Sequence, residues 1–134
     1  MVVYRKQDLQ EGGRIVEVKL FDSELKVMGV LWREGDVTAK HIAEVLKEEV
    51  GWNKNTTYTL IKRCIQKGAI ERSEPKFMCH ALIPKELVQE AETDELINKI
   101  YDGSADKLFA ALLGRKKISQ EQIESLKQMV KDLE

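Results

Sequence analysis

The stretch WNKNTTYTLIKRCIQKGAI, from Trp52 to Ile70, decides how the rest of the chain is read. Asn53 has the short side-chain oxygen that accepts an orphan amide at a helix start, and Gly68 is the residue type that ends one, so a helix is expected over 54–67. At about 100° per residue, Thr57, Leu60, Ile61, Cys64 and Ile65 share one half of it and must face a core. The opposite half carries Asn55, Thr59, Lys62, Arg63 and Gln66, with Thr56 at its margin. No carboxylate occurs anywhere in the segment. A surface helix shaped only for solubility mixes Glu with Lys to gain i, i+4 pairs, whereas a polyanion opposite that face repels Glu. The residue types also match a DNA major groove, where Arg forks onto guanine, Asn and Gln bond adenine, and Thr meets the thymine methyl.

Working upstream, Thr38 is an N-cap candidate followed by Ile42, Val45 and Leu46 at helical spacing, until Gly51 stops the run. Before it, Asp22 or Ser23 is expected to cap a helix whose inner face holds Leu25, Met28, Leu31 and Trp32, ending at Gly35 and Asp36. Residues 1–20 form an expected N-terminal arm. They are polar, with a weak alternation of Ile15, Val16, Val18 and Leu20 that fits an edge strand.

Downstream of Gly68 the period changes to two. Ile70 and Arg72 lead into Ser73, Glu74 and Pro75, after which Phe77, Cys79, Ala81 and Ile83 alternate, the pattern of a two-stranded hairpin. Three helices, the third polar and basic on its free face, followed by a hairpin bearing Arg72 and Lys76, describe a winged helix-turn-helix over 21–84. From Lys85 the helical period returns through Leu87, Val88, Ala91, Leu96, Ile97 and Ile100, with a break near Thr93 compatible with it. Ser104 opens a second helix, and Ser119 with Gln122 makes a capping box for a third. Residues 85–134 carry apolar stripes at Leu96 and Ile100, at Leu108, Phe109 and Leu112, and at Ile123, Leu126 and Val130. Three short helices do not hide that much apolar surface from one another, so these residues are expected to form a dimer interface. The fold class is thus mainly α with a small β-hairpin: a winged helix-turn-helix followed by a C-terminal helical dimerisation region.

Charge supports the placement. Between Gly51 and His80, Lys54, Lys62, Arg63, Lys67, Arg72 and Lys76 face only Glu71 and Glu74, a local excess of positive charge in a chain of net charge −1. A chain of 134 residues excludes a large multi-domain enzyme, and 43% hydrophobic with 34% charged residues excludes wholesale disorder. Two cysteines are too few for a disulfide framework, no apolar run reaches the ~20 residues of a membrane span, and no secretory leader is evident, so a cytoplasmic protein is expected.

With these residues in view, the stretch Trp52 to Ile70, together with SELKVMGVLW (Ser23–Trp32) and TAKHIAEVL (Thr38–Leu46), resembles the penicillinase-repressor family (BlaI/MecI/CopY). The likeness covers about Leu20 to Leu133 in layout. It implies a dimeric transcriptional repressor with an N-terminal winged helix and a C-terminal dimerisation region. Carried over position by position, the family's DNA-facing residues fall on Asn55, Thr56, Thr59 and Arg63. Departures accompany it. Asn55 stands where the family usually has Lys, and Glu74, Pro75 and Lys76 form the wing turn in place of a Gly-Arg turn, with His80, Ala81 and Leu82 where a strand Tyr is common. The Asn-Phe pair cut in β-lactam-responsive members aligns with Ala111 and Leu112, and the Cys-x-Cys pairs of the copper-responsive branch are absent. Neither inactivation route is implied, and the inducer or regulatory protease is not identified.

The expected function is therefore sequence-specific binding of double-stranded DNA by a homodimer, on a palindromic operator read by helices roughly 34–36 Å apart. Asn55, Thr56, Thr59 and Arg63 read bases, while Lys62, Gln66, Lys67, Arg72 and Lys76 hold phosphates. A winged-helix module that binds an acidic protein partner is the competing reading of the same face. Tyr58, at the edge of the helix, either touches the sugar-phosphate backbone or covers the core rim. His41 and His80 share no Cys or carboxylate constellation, and no Gly-rich phosphate loop, G-x-S-x-G elbow or H-E-x-x-H is present, so no metal, cofactor or catalytic role is expected. Cys64 is expected to pack as a small apolar group, and the role of Cys79 stays open.

Overall fold

A computed structural model of the chain describes residues 3–5, 17–115 and 118–134. Near the N-terminus, β1 (Val3–Arg5) pairs antiparallel with β2 (Glu17–Lys19), in the register Val3 with Lys19 and Arg5 with Glu17. The expected arm thus contains a two-stranded ribbon, and Val18 and Leu20 are buried in the core. Ile15 and Val16, part of the expected alternation, lie outside the described residues.

The first helix, α1 (Asp22–Glu34), starts differently from the expectation. Neither Asp22 nor Ser23 caps it. Phe21 occupies the N-cap with extended backbone, and Glu24, three residues on, reaches back so that its Oε1 accepts the Phe21 N–H at 2.8 Å. Gly35, with φ of 84°, ends the helix by donating its N–H to the Leu31 carbonyl. After β3 (Val37–Thr38), α2 (Ala39–Val50) opens on Thr38, whose side chain accepts the His41 N–H, and stops at the left-handed Gly51. The third helix, α3 (Lys54–Gln66), opens on Asn53, which accepts the Thr56 N–H at 2.9 Å.

The wing comprises β4 (Ile70–Ser73) and β5 (Met78–Ala81), but the sheet has three strands in the order β3-β5-β4. The expected two-stranded hairpin missed β3 because its two residues are too few to show alternation and Thr38 doubles as the cap of α2. Pairing of Val37 with Cys79 and Thr38 with Met78 locks the wing to the start of α2. A single core joins these elements through Val27, Met28, Ile42, Leu46, Ile61, Cys64, Ile70, Cys79 and Ile83. Trp32 closes one edge by donating its indole N–H to the Ile83 carbonyl at 2.8 Å. Three helices and a three-stranded wing make this a winged helix-turn-helix.

The fourth helix, α4 (Lys85–Ile100), runs through Thr93 without a break. The chain divides into compact units at 1–92 and 93–134, inside α4 rather than at residue 84, because Val88 packs into the winged-helix core with Leu87 and Ala91 against it. The second unit holds the rest of α4, then α5 (Ala105–Gly114) and α6 (Gln120–Asp132). Ser119 and Gln122 form the expected capping box reciprocally, at 3.1 and 3.0 Å. No residue of α5 or α6 is buried. Among the described residues, no helix is long and apolar enough to cross a membrane.

Candidate nucleic-acid interface

The two halves of α3 separate as its sequence dictates. Thr57, Leu60, Ile61 and Cys64 are buried, while Asn55, Thr56, Thr59, Lys62, Arg63 and Gln66 are all exposed. Asn55, Thr56, Thr59 and Arg63 line one open concavity of about 530 Å³, whose other walls are Ser23 of α1, Trp52, Asn53 and Leu60. Ser23 and Trp52 were not among the expected site residues. Ser23 reaches it because α1 packs across α3, a tertiary approach that neither segment signals by its own spacing, whereas Trp52 lies directly before the Asn53 cap.

Two hydroxyls in this concavity are already used within the helix. Thr56 Oγ1 donates to the Asn53 side-chain oxygen at 3.1 Å, and Thr59 Oγ1 donates to the Asn55 carbonyl at 2.9 Å. Those bonds fix the rotamers, so what each threonine offers outward is shape and a methyl group, the complement of a thymine methyl. Asn55 and Arg63 keep their side-chain donors without a polar partner among the described residues, as do Lys62, Gln66 and the wing residue Lys76.

Two of the five cations and amides expected to hold phosphates are otherwise engaged. Lys67 turns inward: its Nζ lies 2.6 Å from Glu24 Oε1 and 2.8 Å from the Lys19 carbonyl, and 4.3 Å from the centroid of the Phe21 ring. Glu24 is buried, and a buried carboxylate without a counter-charge is costly; the Lys67 ammonium, expected to hold a phosphate, supplies that charge. Arg72 stays at the surface but is paired with Glu74 and stacked on the Phe77 ring at 3.6 Å. Tyr58 meets Phe77 edge-on with centroids 5.9 Å apart, so it covers the rim of the core where the wing joins α3.

The remaining polar chemistry is structural. His41 pairs with Glu34 at 2.7 Å and His80 with Asp36 at 2.8 Å, both at the surface. Among the described residues, no group of three or more metal-ligating side chains converges. Both cysteines are free and buried. Burial pushes the Cys64 thiol up to about 12, with the Glu24 charge adding to it, and pushes Cys79 up to about 11. Neither is a thiolate at neutral pH.

The second unit offers a different surface. Leu96, Ile100, Phe109, Leu112 and Val130 are exposed, and Leu108, Ile123 and Leu126 are partly covered. Phe109, Leu113, Ile123, Leu126, Met129 and Val130 border an apolar groove of about 680 Å³ between α5 and α6. Leu113 and Met129 extend the expected set.

The sequence profile of the penicillinase repressor family matches residues 20–132. The methicillin resistance regulatory protein MecI of Staphylococcus aureus strain N315 is 26% identical over 114 residues, covering 84% of this chain and 93% of that protein. The penicillinase repressor of Bacillus licheniformis is 24% identical over 116 residues, covering 85% of this chain and 91% of its own length. A solution structure of monomeric BlaI from Bacillus licheniformis in complex with the blaP half-operator is 26% identical, covers 51% of this chain and 85% of that one, and superposes with a TM-score of 0.45.

Proposed function

Since the chain belongs to the penicillinase repressor family, a family of transcriptional repressors and not of enzymes, we propose that it is a DNA-binding repressor that acts in the cytoplasm as a homodimer on a palindromic operator. The observation that carries the reading is the exposed side of α3: six polar or basic residues, no carboxylate, and four of them gathered in one concavity of groove-reading chemistry. In this reading Arg63 forks onto a guanine, Asn55 bonds a base edge, and Thr56 and Thr59 supply methyl contacts. Lys62, Gln66, Arg72 and Lys76 meet phosphates. Repression follows from occlusion of a promoter by the bound protein.

Self-association rests on the second unit. Phe109, Leu113 and Val130 are each at least half exposed, and a second copy of the same helices is the economical cover for such a surface. Two α3 helices then face successive major grooves on one side of the duplex.

Selection from random duplexes tests the whole reading. A two-fold symmetric motif is expected. On that motif Arg63→Ala should cost about 1–3 kcal/mol and relax preference at one base position. Equal losses on specific and random DNA would remove Arg63 from base reading, and recovery of no motif, with capture of an acidic protein instead, would favour a protein-interaction module.

A further inference from the structure

One cation of the wing has its geometry fixed from two sides. Arg72 Nε donates to Glu74 Oε1, and the guanidinium lies 3.6 Å over the Phe77 ring. Phe77 is itself held. It meets Tyr58 of α3 edge-on, its carbonyl accepts the Ala39 N–H at 2.9 Å, and its backbone sits at φ 53°, a conformation rare for an aromatic residue. At the far end Lys54 Nζ lies 5.5 Å from the Tyr58 ring centroid. A continuous series of contacts thus runs from the first turn of α3 to the tip of the wing.

Within that series Glu74 is anomalous. It is an exposed carboxylate on an element that, in the proposed function, approaches a polyanion. Charge alone makes it unfavourable there. Its contact, however, uses only Nε of Arg72, and the two terminal amino groups keep no partner among the described residues. Those two groups are the fork that binds a phosphate in bidentate fashion, and fixing the fork beforehand lowers the entropy lost on binding.

Resting on the DNA-binding reading above, we infer that Glu74, Phe77 and Tyr58 are positioning residues that present the Arg72 fork to a backbone phosphate. The contact is independent of sequence, so a fluorescein-labelled duplex of random sequence is a sufficient probe, titrated with the full chain at several salt concentrations. Arg72→Ala should weaken binding roughly tenfold and flatten the salt slope by about one. Glu74→Ala should also weaken it, by about threefold or more, although it removes a negative charge, and Glu74→Gln, whose amide oxygen still accepts from Nε, should stay within about twofold of the parent. Phe77→Leu should follow Glu74→Ala, and Tyr58→Phe, which keeps the ring, should not. In the Arg72→Ala background the Glu74→Ala loss should vanish or reverse, an interaction that a merely structural role would not produce. Binding by Glu74→Ala as tight as the parent's, or tighter, would overturn the inference and leave the repressor reading intact. A parent chain that ignores the duplex altogether would overturn both.

Discussion

In residues 1–92 the apolar side of each helix is closed off: Met28 on α1, Ile42 on α2 and Ile61 on α3 are each 0% exposed. In residues 93–134 positions with the same helical spacing stand open, Phe109 at 50%, Leu113 at 53% and Val130 at 58%. Spacing states which side of a helix is apolar. It does not state what covers it. In the first unit the cover comes from three helices and a sheet of the same chain, so a monomer satisfies it. In the second unit no residue of α5 or α6 is buried, and in the proposed function a second copy of the chain supplies the cover.

Truncating equivalent side chains in the two units breaks or confirms that contrast with the largest expected effect. Ile61→Ala should lower the free energy of unfolding by about 2–5 kcal/mol, through lost burial and a residual cavity. Leu113→Ala, measured in urea at a dilution where the chain is monomeric, should cost less than about 0.5 kcal/mol, as a surface change does. A cost for Leu113→Ala equal to that of Ile61→Ala would mean that the C-terminal stripes are covered within one chain.

Charge placed on the open side sharpens the same point. Phe109→Asp should leave the winged helix folded while sedimentation equilibrium shifts from a dimer to the 15.4 kDa chain. Affinity for a two-fold operator should then fall to that of a half-site. An unchanged mass with intact folding would exclude Phe109 from the interface.

The elements legible in the sequence are those whose signals are local. Asn53, Thr38 and Ser119 are short-chain caps, each found accepting the amide three residues on, and Gly35 and Gly51 end helices with positive φ. The exposed side of α3 was legible for the same reason, since periodicity within one helix fixes it. What escaped the sequence depends on partners far along the chain. β3 exists only because β5 lies beside it, and Ser23 joins the α3 concavity only through the packing of α1. Glu24 as a cap hides behind Phe21, a residue with no side-chain oxygen to offer, and Lys67 looks like any other cation until Glu24, 43 positions away, is found beneath it.

The contrast between Lys62, on the exposed side of α3, and Lys67, at its C-cap, makes a prediction of intermediate size. Lys62→Ala should weaken all duplexes and flatten the salt slope by about one, because its ammonium is exposed and unpaired among the described residues. Lys67→Ala should leave the slope unchanged and instead lower stability by about 1–3 kcal/mol, since it strips a buried carboxylate of its counter-charge and leaves it the Phe21 N–H alone of its two donors among the described residues. A salt slope that falls for Lys67→Ala would return that residue to the phosphate-binding set.

The smallest effect expected concerns how tightly the first unit is closed. Burial raises Cys64 from 9.0 to about 12 and Cys79 from 9.0 to about 11, so as pH climbs the unfolded chain gives up thiol protons that the folded chain keeps. The unfolded state then binds fewer protons, and stability must fall with rising pH, the fall setting in as the pH approaches the unfolded value of 9.0 and steepening above it. At pH 9 half of each unfolded thiol is ionised, which corresponds to about 0.4 kcal/mol per cysteine. Urea unfolding of the parent against a Cys64→Ala, Cys79→Ala double variant isolates this contribution, because every other titrating group is common to both. The parent should lose about 0.8 kcal/mol more than the variant between pH 7 and pH 9, and folded parent should resist alkylation at the lower pH. Equal pH slopes, or rapid alkylation without unfolding, would mean that solvent reaches the contact between α3 and the wing, and the first unit would be less closed against the second than their exposures indicate.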